Sequence, residues 1–450
     1  MESLSTLLSR FPKSMPHWGR DRWALAALLL LAWALRLPPI LDNRFHPDEA
    51  LYGYWGLLIG QGQDPWLVTV PVYKPPLLPY LVAGAQALFG NSEFTVRLPG
   101  LAAGLLIVPL VAALAYSLYR DRWIAAAAAV GVALSPFAIL LSATAFTDPP
   151  MVALGLAACI AAARGRPGWA GTLAGLAFAT KQTGLLWMPL VALIQISNLS
   201  RSKVAPRGSP NPRFWPGWFG CAHHRSGDPG RAKLDLVRLV VRFSLIVGLV
   251  FAWDAVRVTR GAESFWRIGV TGYGGLRLTW PQELWPRLRG WIGLMHYFFV
   301  SPVVNGALLV GLPALVWNTL GRRHRTRESF ADLLLISFSL IYLLLHWLWA
   351  FPVWDRYLLP LVPILAILFS RIVKSVTLWL QSAIRNGFDT PTATQPKPQS
   401  ATLRLRSGQV HNPQSMPHLL RGPAHGCSPL STACRLSCGG TRRRRGATCS

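Results

Sequence analysis

Apolar runs of about 20 residues recur along this chain, from residues 23–40 to residues 358–378, and each is long enough to cross the ~30 Å hydrocarbon core of a bilayer as a helix. No other feature narrows the fold as far. Inside hydrocarbon every backbone N–H and C=O must find its partner within the protein, so only helices and closed barrels span a membrane. Continuous apolar runs lack the period-two alternation of barrel strands. The expected fold class is therefore an all-α polytopic membrane protein. No internal repeat of fixed period is present, which sets solenoids aside.

Composition agrees. Hydrophobic residues make up 52% of the chain and charged residues 14%, whereas a soluble domain carries about 25% charge. The net charge of +27 raises the question of a nucleic-acid partner, but the distribution argues against one. Ten Lys/Arg lie in the tail beyond residue 380 against the single Asp389. Most of the rest sit in short segments between apolar runs, which is the signature of membrane topology.

That charge bias orients the spans. Arg10, Lys13, Arg20 and Arg22 precede the first run, so residues 1–22 are expected in the cytoplasm. No small-x-small cleavage site follows before Pro38-Pro39, so the run reads as an uncleaved anchor. Residues 41–93 then form a first extracytoplasmic loop with a surface helix over 47–60 and a second over 75–89, too short for a crossing and suited to the interface. Further spans are expected at 94–119, 123–146 and 149–163, then a hairpin over 168–196 interrupted at Lys181-Gln182-Thr183-Gly184, with Lys181 near the outer face. A basic Pro/Gly-rich segment, 198–233, lies inside. Spans follow at 234–253, 291–320, 330–351 and 358–378, with 255–290 outside despite its six Arg against Glu263 and Glu283. The total is about ten transmembrane helices in one domain, 23–378, with both ends cytoplasmic, in the plasma (inner) membrane. The tail, 379–450, has no apolar periodicity and is expected to be disordered. Its Cys427, Cys434, Cys438 and Cys449 crowd with His418 and His425, but in no familiar zinc spacing, and read as unpaired thiols.

With this topology the ionisable residues at the outer membrane face come from separate pieces of chain. They are Asp48 and Glu49 in Phe45-His46-Pro47-Asp48-Glu49, Lys74 before Pro75-Pro76, Glu93 and Arg97 at the start of the next span, Asp148 before Pro149-Pro150, Lys181, and Asp355-Arg356. Charge at membrane depth is costly and is by default a functional pointer. The set predicts a polar cavity opening outward and holding both signs of charge, with its working side extracytoplasmic.

The run HPDE-aLY, the KPPL turn, SEftvRLPG, the later Thr147-Asp148, GLAfaTK and the final DRYLLPLvPilAil together resemble the GT-C superfamily of integral-membrane glycosyltransferases, in the group of protein O-mannosyltransferases, lipid A aminoarabinose transferases and rhizobial lipopolysaccharide-core transferases. The resemblance covers about 23–378. It implies transfer of a sugar from a polyprenyl-phosphate carrier to a lipid, glycan or protein acceptor at the outer face.

The residues suit that chemistry on their own terms. Glycosyl transfer from a lipid phosphate needs a base for the acceptor hydroxyl and cations for the departing phosphate. Asp48 is the expected base, in an inverting single displacement. Glu49 either orients it or is merely solvated. Lys74, Lys181 and Arg356 are the expected phosphate ligands; a snorkelling Lys74 and a local Arg356–Asp355 pair are the plain alternatives. Arg97 is expected to pair with Glu93 at i,i+4. Asp148 is either a supporting acid or a helix N-cap. His46 is a weak candidate for a divalent metal, and no other cofactor is implied. A polytopic transporter or lipid flippase is the competing class. A transporter favours paired broken helices in two related halves, and the sequence does not show them.

Overall fold

A computed structural model describes residues 17–201, 229–272, 277–299, 301–321 and 326–388. The expectations for residues 1–16, for most of 198–233 and for the tail beyond Phe388, including its cysteines, fall outside the described residues. Apart from one isolated bridge between Leu278 and Trp349, all regular structure among the described residues is helical, as expected.

Fifteen α-helices are described: α1 (His17–Asp42), α2 (Pro47–Gly60), α3 (Leu77–Phe89), α4 (Glu93–Tyr119), α5 (Arg122–Leu134), α6 (Pro136–Ser142), α7 (Asp148–Ala163), α8 (Pro167–Thr180), α9 (Trp187–Arg201), α10 (Pro229–Thr259), α11 (Phe265–Gly272), α12 (Pro281–Met295), α13 (Pro302–Leu320), α14 (Arg327–Leu348) and α15 (Leu361–Phe388). Short 3₁₀ turns at Gln182–Leu186, His296–Phe298 and Asp355–Leu358 join them. Six helices are long and apolar enough to cross a membrane, or seven if the bent pair α5–α6 counts as one span. The remaining expected spans are the shorter α7, α8 and α9.

Three boundaries differ from expectation. The span expected over 291–320 is divided: Trp291 belongs to α12, and the crossing helix begins at Ser301-Pro302, where the Ser301 hydroxyl caps the Val304 amide. The span expected over 123–146 is broken by 60° at Ser135-Pro136, because proline cannot donate to the preceding turn and starts a new one. Helix α15 continues through Phe388, past the expected start of the tail. Polar side chains lengthen its last turns, and an apolar count stops short of them.

Close packing holds α7, α8 and α10 side by side, with α4 behind α7. Glycine permits this closeness. A Cβ on Gly171 would collide with the Leu239 carbonyl of α10, and one on Gly175 would meet Ile246 at 2.6 Å. Small residues let helix backbones approach where no hydrophobic drive separates protein from lipid. Helices α2 and α3 pack on each other and on the start of α4. The segment between α2 and α3 therefore lies over the ends of α7 and α8, and this is where the charged residues meet.

Candidate active site

Helix α2 starts where it does for three reasons. Pro47 fixes the first-turn backbone, the Nδ1 of His46 accepts the Asp48 amide at 3.1 Å, and Glu49 reaches back to the His46 amide at 2.9 Å, closing a capping box. The adjacent acids thus face opposite ways. Glu49 points into the bundle and is 1% exposed. Its two oxygens accept Arg97 Nε at 3.0 Å, Arg97 Nη2 at 3.2 Å and the Ala145 amide at 2.9 Å. Arg97, also 1% exposed, spends its remaining donors on the carbonyls of Ile40, Asn43 and Arg44. This ion pair ties together the end of α1, the start of α2, α4 and the turn before α7. It replaces the expected Arg97–Glu93 pair: Glu93 sits exposed at the mouth of α4, whereas Glu49 offers a desolvated fork-on-fork geometry.

Asp48 turns the other way and keeps partial access, its side chain 22% exposed. One oxygen accepts the Tyr73 hydroxyl at 3.1 Å and the other accepts Arg356 Nη1 at 2.6 Å. Burial pulls this carboxyl up, but the Arg356 guanidinium and the Tyr73 hydroxyl outweigh it and hold it below the ordinary aspartate value. Arg356 is sandwiched between Phe146 at 4.9 Å and Trp354 at 4.3 Å. Its guanidinium turns to Asp48 and not to Asp355, which is exposed and accepts the Arg356 backbone amide at 2.6 Å.

Lys181, 2% exposed, stands where α8 ends and the 3₁₀ turn begins. Its ammonium contacts Asp148 Oδ1 at 2.6 Å and lies 4.2 Å from the Tyr357 ring centroid, a cation–π geometry. Asp148 is in the first turn of α7, following an N-cap residue, Thr147, that makes no side-chain cap bond. The N-cap alternative for Asp148 is thereby replaced by an ion pair. Its Oδ2 is buried and has no hydrogen-bond partner among the described residues.

Lys74, 6% exposed, lies over the Tyr73 ring at 5.1 Å and is drawn in rather than snorkelling outward. Burial above all, then the positive charges of Lys181 and Arg356, lower its pKa to about 7. Lys74 and Lys181 line one cavity of about 160 Å³, with Gln182, Trp266, Phe351 and Tyr357 among its other walls. Gln182 anchors the floor by donating to the Tyr73 carbonyl at 2.7 Å.

Of the expected residues, the structure gathers Asp48, Lys74, Asp148, Lys181 and Arg356. Glu49 and Arg97 lie behind them as a buried staple, and Glu93 and Asp355 stand outside. His46 caps a helix through Nδ1, and no group of three or more His, Cys, Asp or Glu comes together among the described residues. Tyr73, Gln182 and Trp266 escaped the sequence reading. Tyr73 directly precedes Lys74, but a tyrosine at a span end reads as an interfacial anchor.

A helical membrane domain with a charged cleft where Asp48, Lys74, Asp148, Lys181 and Arg356 meet fits the resemblance to GT-C membrane glycosyltransferases drawn from the sequence. The comparisons bear out that resemblance. Residues 73–207 match the family model described as dolichyl-phosphate-mannose-protein mannosyltransferase. A stretch of 109 residues is 37% identical to an undecaprenyl phosphate-alpha-4-amino-4-deoxy-L-arabinose arabinosyl transferase of Pseudomonas fluorescens, covering 23% of this chain and 19% of that protein. The fold matches ArnT from Cupriavidus metallidurans in the apo state with a TM-score of 0.53 at 17% identity, over 82% of this chain and 63% of that one. Against ArnT bound to undecaprenyl phosphate the TM-score is 0.50 at 18% identity, over 83% and 64%. The chain therefore spans about a fifth of the curated relative's length and just under two thirds of the solved structures.

Proposed function

We propose that this protein is a glycosyltransferase that moves a sugar from a polyprenyl-phosphate carrier to an acceptor hydroxyl at the extracytoplasmic face of the plasma (inner) membrane, by inverting single displacement. One observation carries the reading: two lysines, Lys74 and Lys181, are buried on the walls of one cavity. Two buried ammonium groups on one cavity concentrate positive charge away from bulk water, where an anion is attracted most strongly. A phosphodiester is the anion that the proposed donor brings to that cavity.

In the proposed step the acceptor oxygen forms a bond to the anomeric carbon while the bond from that carbon to the carrier phosphate breaks. The electron pair leaves on the phosphate, where Lys74 and Lys181 stabilise it from the walls of the cavity. Asp48 takes the proton from the acceptor. Its contacts suit a base that must be ionised before substrate arrives, since Arg356 and Tyr73 both favour the carboxylate. Tyr73 links the two halves of the site, with its hydroxyl on Asp48 and its backbone on Gln182.

The test is transfer in proteoliposomes with radiolabelled polyprenyl-phosphate sugars, including the 4-amino-4-deoxy-L-arabinose and mannose donors named for the relatives, and with lipid and peptide acceptors. The expected result is release of the sugar from its carrier, lost in a Lys74→Ala/Lys181→Ala double variant. If no donor loses its sugar while intact carrier crosses the bilayer, the protein is a flippase and the proposal fails.

A further inference from the structure

The two walls of the lysine cavity are tied to one buried ion pair that touches neither the cavity nor any residue proposed for transfer. It lies near the end of α10. Arg257 is fully buried and stacks 4.8 Å from the Trp253 ring centroid. Its Nε and Nη2 both donate to the Leu67 carbonyl, each at 3.0 Å, and its Nη1 contacts Asp254 at 3.0 Å. Leu67 has φ +54°, a left-handed conformation that a branched side chain adopts only when its surroundings impose it. Asp64 reinforces the turn by accepting the amides of Val68 and Thr69 at 2.9 and 2.7 Å. The chain that leaves this turn runs directly to Tyr73 and Lys74. That is one wall.

The other wall hangs from the acid of the same pair. Asp254 accepts the Ser264 hydroxyl at 2.6 Å and the Phe265 amide at 3.0 Å, which fixes the start of α11, whose Trp266, Gly269 and Val270 line the cavity. The walls meet where a Cβ on Gly269 would lie 3.2 Å from the Tyr73 carbonyl. A displacement of either anchor therefore changes the gap between Lys74 and α11. A buried arginine gripping one carbonyl with two donors gives directional hold that lysine cannot reproduce.

We infer that Asp254 and Arg257 are positioning residues that set the spacing between the phosphate-facing lysines and α11. This rests on the proposed donor site. Neither residue contacts donor or acceptor; both act through Leu67 and Phe265.

Arg257→Lys and Ser264→Ala test this in the full chain. Arg257→Lys keeps the charge beside Asp254 but loses the two-donor grip, and Ser264→Ala releases one tether of α11. Measured are binding of undecaprenyl phosphate and of a non-hydrolysable phosphodiester analogue, KM and kcat with the donor that the wild type uses, and thermal unfolding. The expectation is a roughly tenfold weaker binding and higher KM for Arg257→Lys, with kcat within about threefold and the unfolding midpoint close to wild type. Combined with Lys74→Ala, its effect on binding should be much less than multiplicative, because both act through Lys74. Unchanged binding and KM, or full multiplicativity with Lys74→Ala, overturns the inference, as does a lowered unfolding midpoint with unchanged KM. Should Arg257→Lys fail to fold, Ser264→Ala carries the same comparison of KM with kcat. If the wild type itself binds no polyprenyl phosphate, it is the proposed function that fails.

Discussion

Lys74 should make donor binding depend on pH in a way that one substitution abolishes. Its ammonium is buried beside Lys181 and Arg356, with Asp148 and Asp48 as the acids within electrostatic reach, and its pKa falls from 10.5 to about 7. A lysine with a lowered value is charged below it and neutral above it, so the form that attracts phosphate is lost as pH rises through 7. If only the charged form binds, the apparent Kd scales as one plus the neutral-to-charged ratio, which rises roughly ninety-fold between pH 6 and pH 9. The ligand should be a phosphodiester, because a phosphate monoester titrates near pH 6 itself. In Lys74→Arg the guanidinium stays charged throughout, so binding should be flat over that range, and in Lys74→Met it should be weak and flat. Equilibrium binding of a polyprenyl phosphodiester analogue to the detergent-solubilised protein measures all three. A wild type with no slope, or a slope that survives in Lys74→Arg, refutes the argument and moves the titration to another group.

Glu49→Ala should cost about 3–5 kcal/mol of stability by leaving the Arg97 guanidinium buried and uncompensated, seen as reduced folded yield and a lower unfolding midpoint; if transfer falls with stability unchanged, Glu49 acts in catalysis instead. Adding Arg97→Met should recover part of that loss, since the orphaned charge goes with it. Tyr73→Phe removes one of the two donors to Asp48 and should slow transfer about 3- to 10-fold, corresponding to a net hydrogen bond of about 0.5–1.5 kcal/mol, with donor Kd nearly unchanged. Gly100→Val should give little folded protein, because even a Cβ there collides with the Thr144 carbonyl and overpacking typically costs about 1–3 kcal/mol; normal yield would show that α4 can retreat from the turn before α7.

How much of this was legible in the sequence follows from what each feature depends on. Hydrophobic length alone gave the helical class, and charge at the ends of apolar runs gave Asp48, Lys74, Asp148, Lys181 and Arg356, because membrane-facing charge is rare enough to stand out. Partners were not legible where they are distant in the chain. Arg97 has Glu93 one helical turn away, yet its partner Glu49 lies 48 positions back, and only the folded arrangement of α1, α2 and α4 brings that acid within reach. A local pair with Asp355 is the plain alternative for Arg356 in the sequence, but Arg356 reaches Asp48, 308 positions away, while Asp355 stays exposed. Asp254 and Arg257 form an i,i+3 ion pair at a span end, a spacing that by itself points to nothing beyond the helix. Their role depends on the Leu67 backbone conformation, which leucine does not announce. The break at Ser135-Pro136 was present as a residue signal, but a continuous apolar count runs across it.

The most direct test of the account is turnover of Asp48→Asn set beside its donor binding. Asparagine keeps the shape of the side chain and an acceptor for Tyr73 but removes the basicity. The expected rate is lower by on the order of 10²–10⁴-fold, with polyprenyl-phosphate binding retained through Lys74 and Lys181. Turnover near the wild-type rate, with any carrier-linked sugar the protein uses, would contradict the assignment of Asp48 as the base.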